Sequence, residues 1–176
     1  MTNHHDFEQL LKQSENYKRR IELIRGVVVE KQTGTFIHGY IVGHIATEFV
    51  GYLHRTKLGL ASTDARFMPN PNNDFRPDIS IVMAGTPLVG QGPMPGVPDI
   101  AIEVQSPDQS VNYMRDRAAY YLRLGVKMVW LVYTKKYLVE VIMSEATGIY
   151  VDGEMIIAEP LLPGFTMAVK DVFEVL

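Results

Sequence analysis

The 176-residue chain contains no cysteine, which rules out disulfides, thiolate zinc sites and thiol nucleophiles and suits a reducing cytoplasm. It also lacks any run approaching the roughly 18 apolar residues that span a bilayer, and its opening MTNHHDFEQLLKQ has no apolar signal-peptide core. A soluble, cytoplasmic protein is expected. Charge of one sign is scarce too: 17 Lys and Arg stand against 20 Asp and Glu, a net −3. Such a balance argues against non-specific coating of nucleic acid, yet it leaves room for a local basic groove beside an acidic site. Gly39 and Gly43 are not followed by the Gly-Lys-Ser pattern of a phosphate loop, and no internal repeat is present. What remains is ordinary globular material, 47% hydrophobic and 21% charged, of a length that fits one domain over residues 1–176.

Periodicity divides the chain. Phe7, Leu10, Leu11, Tyr17, Ile21 and Ile24 recur at mostly helical spacings, which predicts one or two helical pieces between Asp6 and Ile24. Gly26 punctuates the chain, and Val27–Val29 reads as a strand. Ile41, Ile45, Phe49 and Leu53 form one stripe and predict a helix over Ile37–Tyr52. Short apolar runs at Ala61–Phe67, Ile79–Met83 and Ile100–Val104 read as strands. Between the last two, Leu88–Pro98 holds three Gly and three Pro and reads as an ordered loop or flap. After Pro107 the stripe Val111, Met114, Ala118, Tyr121, Leu122 predicts a helix ending at Gly125. Met128–Tyr133 and Tyr137–Met143 predict a hairpin, and Phe165–Leu176 is expected to close the core. Tyr120, Tyr121 and Trp130 are read as core.

Two acids stand out. Asp78 enters the run ISIV behind Arg76-Pro77, and Glu103 lies within Asp99–Pro107. Alternation puts Ile100, Ile102 and Val104 on one face, so Glu103 and Gln105 share the other. A carboxylate on so apolar a strand is costly unless paired or metal-bound. Asp78 and Glu103 on neighbouring strands suit a shared hard cation, Mg²⁺ or Mn²⁺, because neither sulfur nor a paired histidine is at hand. His38 and His44, six apart, turn to different helix faces and do not form a zinc pair, although His38 is placed to line a groove. Plainer roles stay open: Asp78 as a turn acid after Pro77, Glu22 as a solvated helix residue paired with Arg19 or Lys18, Gln105 as a polar strand end, and Arg117 as a surface partner of Asp116.

The segments IELIRGVVVEK with Glu22 and Gly26, His38 opening a helix, Arg76-Pro77-Asp78, EVQSP from Glu103 to Pro107, Tyr121 to Val126, VWLVY and LLPGFTM follow one another in a characteristic order. In this the chain resembles the bacterial putative restriction endonuclease family, a branch of the PD-(D/E)xK nuclease superfamily. The resemblance implies an α/β (α+β) fold, a mixed central sheet flanked by helices. It also implies Asp78 and Glu103 as metal ligands, Glu22 as an added acid, and Mg²⁺-dependent hydrolysis of DNA phosphodiesters. Gln105 takes the position of the superfamily lysine, which in this family has moved to the following helix; Arg117 stands there. Tyr113 replaces an acid four residues earlier. Arginine stays protonated and cannot take a proton from water, so a slow nuclease in which Arg117 holds phosphate is expected, with Arg76 and Arg115 as further phosphate contacts. The alternative is a nuclease-like module that binds DNA or protein without cleaving. A glycosidase pair of carboxylates would need a larger scaffold with a sugar cleft. By analogy with duplex-cutting nucleases, a homodimer is expected.

Overall fold

The computed structural model describes residues 1–13, 19–31, 34–174 and 176. In chain order the elements are α1 (His4–Lys12), β1 (Ile21–Ile24), β2 (Val27–Glu30), α2 (Phe36–Thr56), β3 (Gly59–Thr63), β4 (Phe67–Asn70), β5 (Asn73–Phe75), β6 (Ile79–Met83) and β7 (Met94–Pro95). There follow β8 (Ile100–Val104), α3 (Val111–Leu124), β9 (Met128–Tyr133), β10 (Leu138–Ile142), β11 (Thr147–Tyr150), β12 (Met155–Ile157), β13 (Thr166–Ala168) and α4 (Val169–Val172). Among the described residues no helix is long and apolar enough to cross a membrane.

A six-stranded sheet in the order β11-β10-β9-β8-β6-β3 forms the centre. It is mixed, since β8 and β9 run parallel while the other pairings are antiparallel. Alternation sorts its residues between two cores. Ile79, Ile81, Ile100, Ile102, Met128 and Trp130 pack with Ile41, Ile45 and Phe49 of α2. Ala101, Val129 and Leu131 pack with Met114, Ala118 and Tyr121 of α3. Each helix therefore covers one face, as its apolar stripe requires. The α2 face is completed by the chain's end, where Phe165 stacks on Phe49 at 4.3 Å and Val169, Val172 and Phe173 are buried. A smaller sheet, β2-β1-β5-β4-β7, carries the first hairpin.

The helix ends carry recognisable caps. Thr35 accepts from His38 N–H and Ser110 from Tyr113 N–H, each satisfying a free donor of the first turn. At the far end of α3, Gly125 takes φ +105° and donates to Leu122 O, a left-handed stop that favours glycine. Gly125→Ala is expected to cost about 1–2 kcal/mol, because only the backbone strain changes; a urea-unfolding midpoint measures it, and no shift would show that the αL residue is not the helix stop.

Three expectations are corrected. Helix α1 ends at Lys12, and Ile21–Ile24 is strand, not helix; Tyr17 lies outside the described residues. Strand β1 pairs with β2 from Ile21–Glu30 to Ile24–Val27, through a two-residue turn with positive φ at both Arg25 and Gly26, the geometry that suits strand twist. The run Ala61–Phe67 is two strands belonging to different sheets, broken where Asp64 adopts φ +54°. The Leu88–Pro98 loop contributes a two-residue strand, β7, beside β4.

Candidate metal centre

In β6 and β8, Ile79 faces Ile102 and Ser80 faces Ala101. The same antiparallel register carried one residue further sets Asp78 opposite Glu103, on the α3 side of the sheet. From the smaller sheet, β1 brings Glu22 to the same place. Two of these carboxylates come from strands and Asp78 from the residue just before β6, and all are nearly inaccessible, Asp78 at 3%, Glu103 at 2% and Glu22 at 1%. Two cations lie among them: Lys31, just past β2, and Arg117, on the second turn of α3, are likewise buried.

Every oxygen has an identifiable neighbour. Asp78 Oδ2 accepts the Val104 backbone N–H at 2.9 Å and lies 3.2 Å from His38 Nε2. Glu103 Oε1 accepts the Tyr121 hydroxyl at 2.5 Å and sits 2.8 Å from Arg117 Nε. Glu22 receives both terminal nitrogens of Arg117, at 2.7 and 2.8 Å, and the Arg76 backbone N–H at 2.6 Å. Such a bidentate pair fixes both partners. Arg117 is thus a clamp between two acids, with Tyr121 one turn on placing its ring 5.1 Å from the guanidinium.

The Lys31 ammonium stands where Asp78 and Glu103 converge. It lies 2.8 Å from Asp78 Oδ1 and 3.4 Å from Glu103 Oε2, while donating its hydrogen bond to Arg76 O at 2.6 Å. Asp78 Oδ1, though buried and beside this charge, has no aligned hydrogen bond. Three hard oxygens therefore surround one cationic position, and one of them has unused lone pairs. The residues fit a small divalent cation such as Mg²⁺ or Mn²⁺.

Proximity divides the acids electrostatically. Burial alone would raise Asp78, but Lys31 and His38 hold it well below the usual carboxylate range. Glu22 is lowered as well, its burial outweighed by Arg117. Glu103 is raised: burial dominates, and the neighbouring Asp78 and Glu22 offset part of what Arg117 and Lys31 contribute. Lys31 is raised despite burial, because Glu103 and Asp78 favour its charge.

Among the expected site residues, Asp78, Glu103, Glu22 and Arg117 meet in one cluster. Gln105 is buried past the end of β8, donates to Gln109 O, and makes no hydrogen bond or ion pair with the cluster. Arg115 is held by both oxygens of Glu140, away from the three acids. His38 does line the site, whereas His44 stacks on Tyr40. Lys31 was not foreseen. One residue past a β-branched run, beside the exposed Glu30, it has the sequence setting of a solvated strand end; its partners are purely tertiary. A cleft lined by Arg20, His38, Gly39, Val42, Thr63, Asp64 and Asp78 reaches the edge of this centre at His38 and Asp78, and Arg20 and Arg76 both pair with Asp64 beside it.

A second group of potential ligands, His4, Glu8 and Asp74, lies elsewhere. There Arg66 takes both Asp74 oxygens at 3.0 and 2.5 Å and Glu8 at 2.5 Å. Arg66 thus already pairs with both acids of this group, as Lys31 and Arg117 pair with the acids of the Asp78 centre.

Comparison with known proteins bears on the family and the fold. The family model Uma2, described as putative restriction endonuclease, matches residues 5–170. No curated protein matches the sequence. The fold is similar to that of a solved putative nuclease belonging to DUF820 from Anabaena variabilis, with a TM-score of 0.83 at 20% identity over 99% of this chain and 98% of the other. At that identity the likeness establishes the fold: a mixed α+β arrangement with helices flanking the sheet.

Proposed function

Since this chain belongs to the Uma2 family of putative restriction endonucleases, we propose that it is a metal-dependent nuclease that hydrolyses DNA phosphodiesters within one domain. The observation that carries this reading is the pair of buried carboxylates, Asp78 and Glu103, facing each other across β6 and β8 around a single cationic position. A bound Mg²⁺ or Mn²⁺ would supply activated water and shield phosphate charge. The chain's own groups hold the ligands still. Val104 N–H and His38 fix Asp78, and Tyr121 and Arg117 fix Glu103. Glu22 in turn orients Arg117, so Arg117 acts as a positioning residue rather than as the phosphate contact expected of it. That contact falls instead to Arg20 and Arg76 beside the cleft, whose charge steers the DNA backbone.

The test is a time course on supercoiled plasmid and single-stranded DNA with Mg²⁺, Mn²⁺ or EDTA. Nicking that needs the ion and disappears in Asp78→Ala supports a nuclease. Equal nicking by wild type and Asp78→Ala would identify a contaminant and sink this reading. One observation favours a second reading, a binding module that does not cleave: Lys31 and Arg117 already neutralise most of the acidic charge. Salt-sensitive DNA binding with no cleavage in either ion would select it.

A further inference from the structure

We propose that Lys31 is the resident cation of this centre, so that a divalent ion enters only by displacing its ammonium from between Asp78 and Glu103. This rests on the metal-dependent reading above and adds to it a competitor built into the chain. A lysine 5% exposed is rare unless paired, and Lys31 is paired with the two carboxylates expected to hold the ion, as well as with the Arg76 carbonyl. The ammonium therefore occupies the focus of the oxygens that a cation would use. Two positive charges cannot share that focus, since their repulsion at such a distance in a buried site is large.

The charge count favours exchange. With Lys31 in place, three carboxylates face two cationic side chains, a formal −1 before His38 is considered. Replacing the ammonium by a divalent ion, with Arg117 unchanged, brings the count to zero. The two cations also differ in how they are held. Arg117 makes three aligned hydrogen bonds, two to the oxygens of Glu22 and one to the Arg76 carbonyl, while its Nε contact with Glu103 is out of line. Lys31 has one aligned hydrogen bond, to Arg76 O, and its contact with Asp78 Oδ1 is out of line. Its four-carbon stem is flexible, whereas the planar guanidinium is locked. Of the two, Lys31 is the one that can leave.

Two measurements on the full chain decide the matter. The first is Mn²⁺ binding, followed by electron paramagnetic resonance or calorimetry, for wild type, Lys31→Met and Asp78→Ala. Lys31→Met keeps the apolar stem and removes the charge, and is expected to bind Mn²⁺ at least about tenfold more tightly than wild type, while Asp78→Ala loses binding. Equal or weaker binding by Lys31→Met overturns the proposal and leaves the metal reading standing. Absence of Mn²⁺ binding in all three proteins overturns both. The second needs no variant, and so does not depend on Lys31→Met folding. Reductive methylation of the wild-type chain, read for each lysine by mass spectrometry, should find Lys31 protected in EDTA and several-fold more reactive at saturating Mg²⁺. Protection that is unchanged when Mg²⁺ is bound would show that the ammonium stays in place, and would overturn the proposal.

Discussion

Arg117→Met is expected to lower stability by about 3–5 kcal/mol, the cost of leaving a buried ion pair half broken. The reason is the number of groups that depend on this guanidinium. Both oxygens of Glu22 and one oxygen of Glu103 meet it, and the residues concerned are 1%, 2% and 8% exposed. Methionine fills the space of the stem and supplies no donor, so two carboxylates are left to share Lys31, the Tyr121 hydroxyl and the Arg76 N–H. Urea unfolding at pH 7 measures the loss. A cost below about 1 kcal/mol, the range of an exposed pair, would mean that Arg117 is solvated in solution and free to contact phosphate. Adding Glu22→Gln to the variant should return part of the loss, since a buried acceptor without its cation costs less when neutral. Arg117→Lys would keep the charge yet lose the fork that spans Glu22 and Glu103.

This clamp shows where sequence reading reached its limit. Asp78 and Glu103 were legible because the signal is local: an acid entering or interrupting an apolar strand, with alternation to say which way it points. Helices α2 and α3 were legible for the same reason, their stripes and caps lying within one segment. The spacing reads Glu22 as helical, because Ile21 and Ile24 continue the periodicity of Phe7, Leu10 and Leu11. What makes that segment a strand is its pairing with Val27–Glu30 and, through Leu23, with Asp74, and no local pattern carries the second of these contacts. The resemblance brings Arg117 to the site as a phosphate contact, with Asp116 as the plainer partner, whereas its partners are Glu22 on β1 and Glu103 on β8. Lys31 was the least legible, since a lysine after a valine run reads as a solvated end until the sheet brings Asp78 and Glu103 against it.

Glu103→Gln is expected to separate activity from stability. Under the proposed function Glu103 is a direct metal ligand, so its loss should lower any Mg²⁺-dependent cleavage by at least about 100-fold, beyond the 10–100-fold typical of groups that only support a ligand. Stability at pH 7 should nevertheless fall less than in Glu22→Gln, because the directions of the two buried glutamates are opposite. Burial leaves Glu103 raised above its ordinary 4.5. Its contribution to stability is therefore fully present below pH 4.5 and is lost as pH rises through the folded value, so a neutral glutamine costs least above that window. Glu22 is lowered from 4.5, its burial outweighed by Arg117. Its contribution is present above pH 4.5 and fades as pH falls through the folded value, so Glu22→Gln should cost about 1.5–3 kcal/mol at pH 7 and less in acid. Urea midpoints of wild type and both variants at pH 7 and pH 4, beside plasmid nicking at pH 7, test the pair. If Glu103→Gln proves the more destabilising of the two at pH 7, Glu103 is held mainly as an ion-pair partner for Arg117 and Lys31, and its charge is not being kept available for a metal.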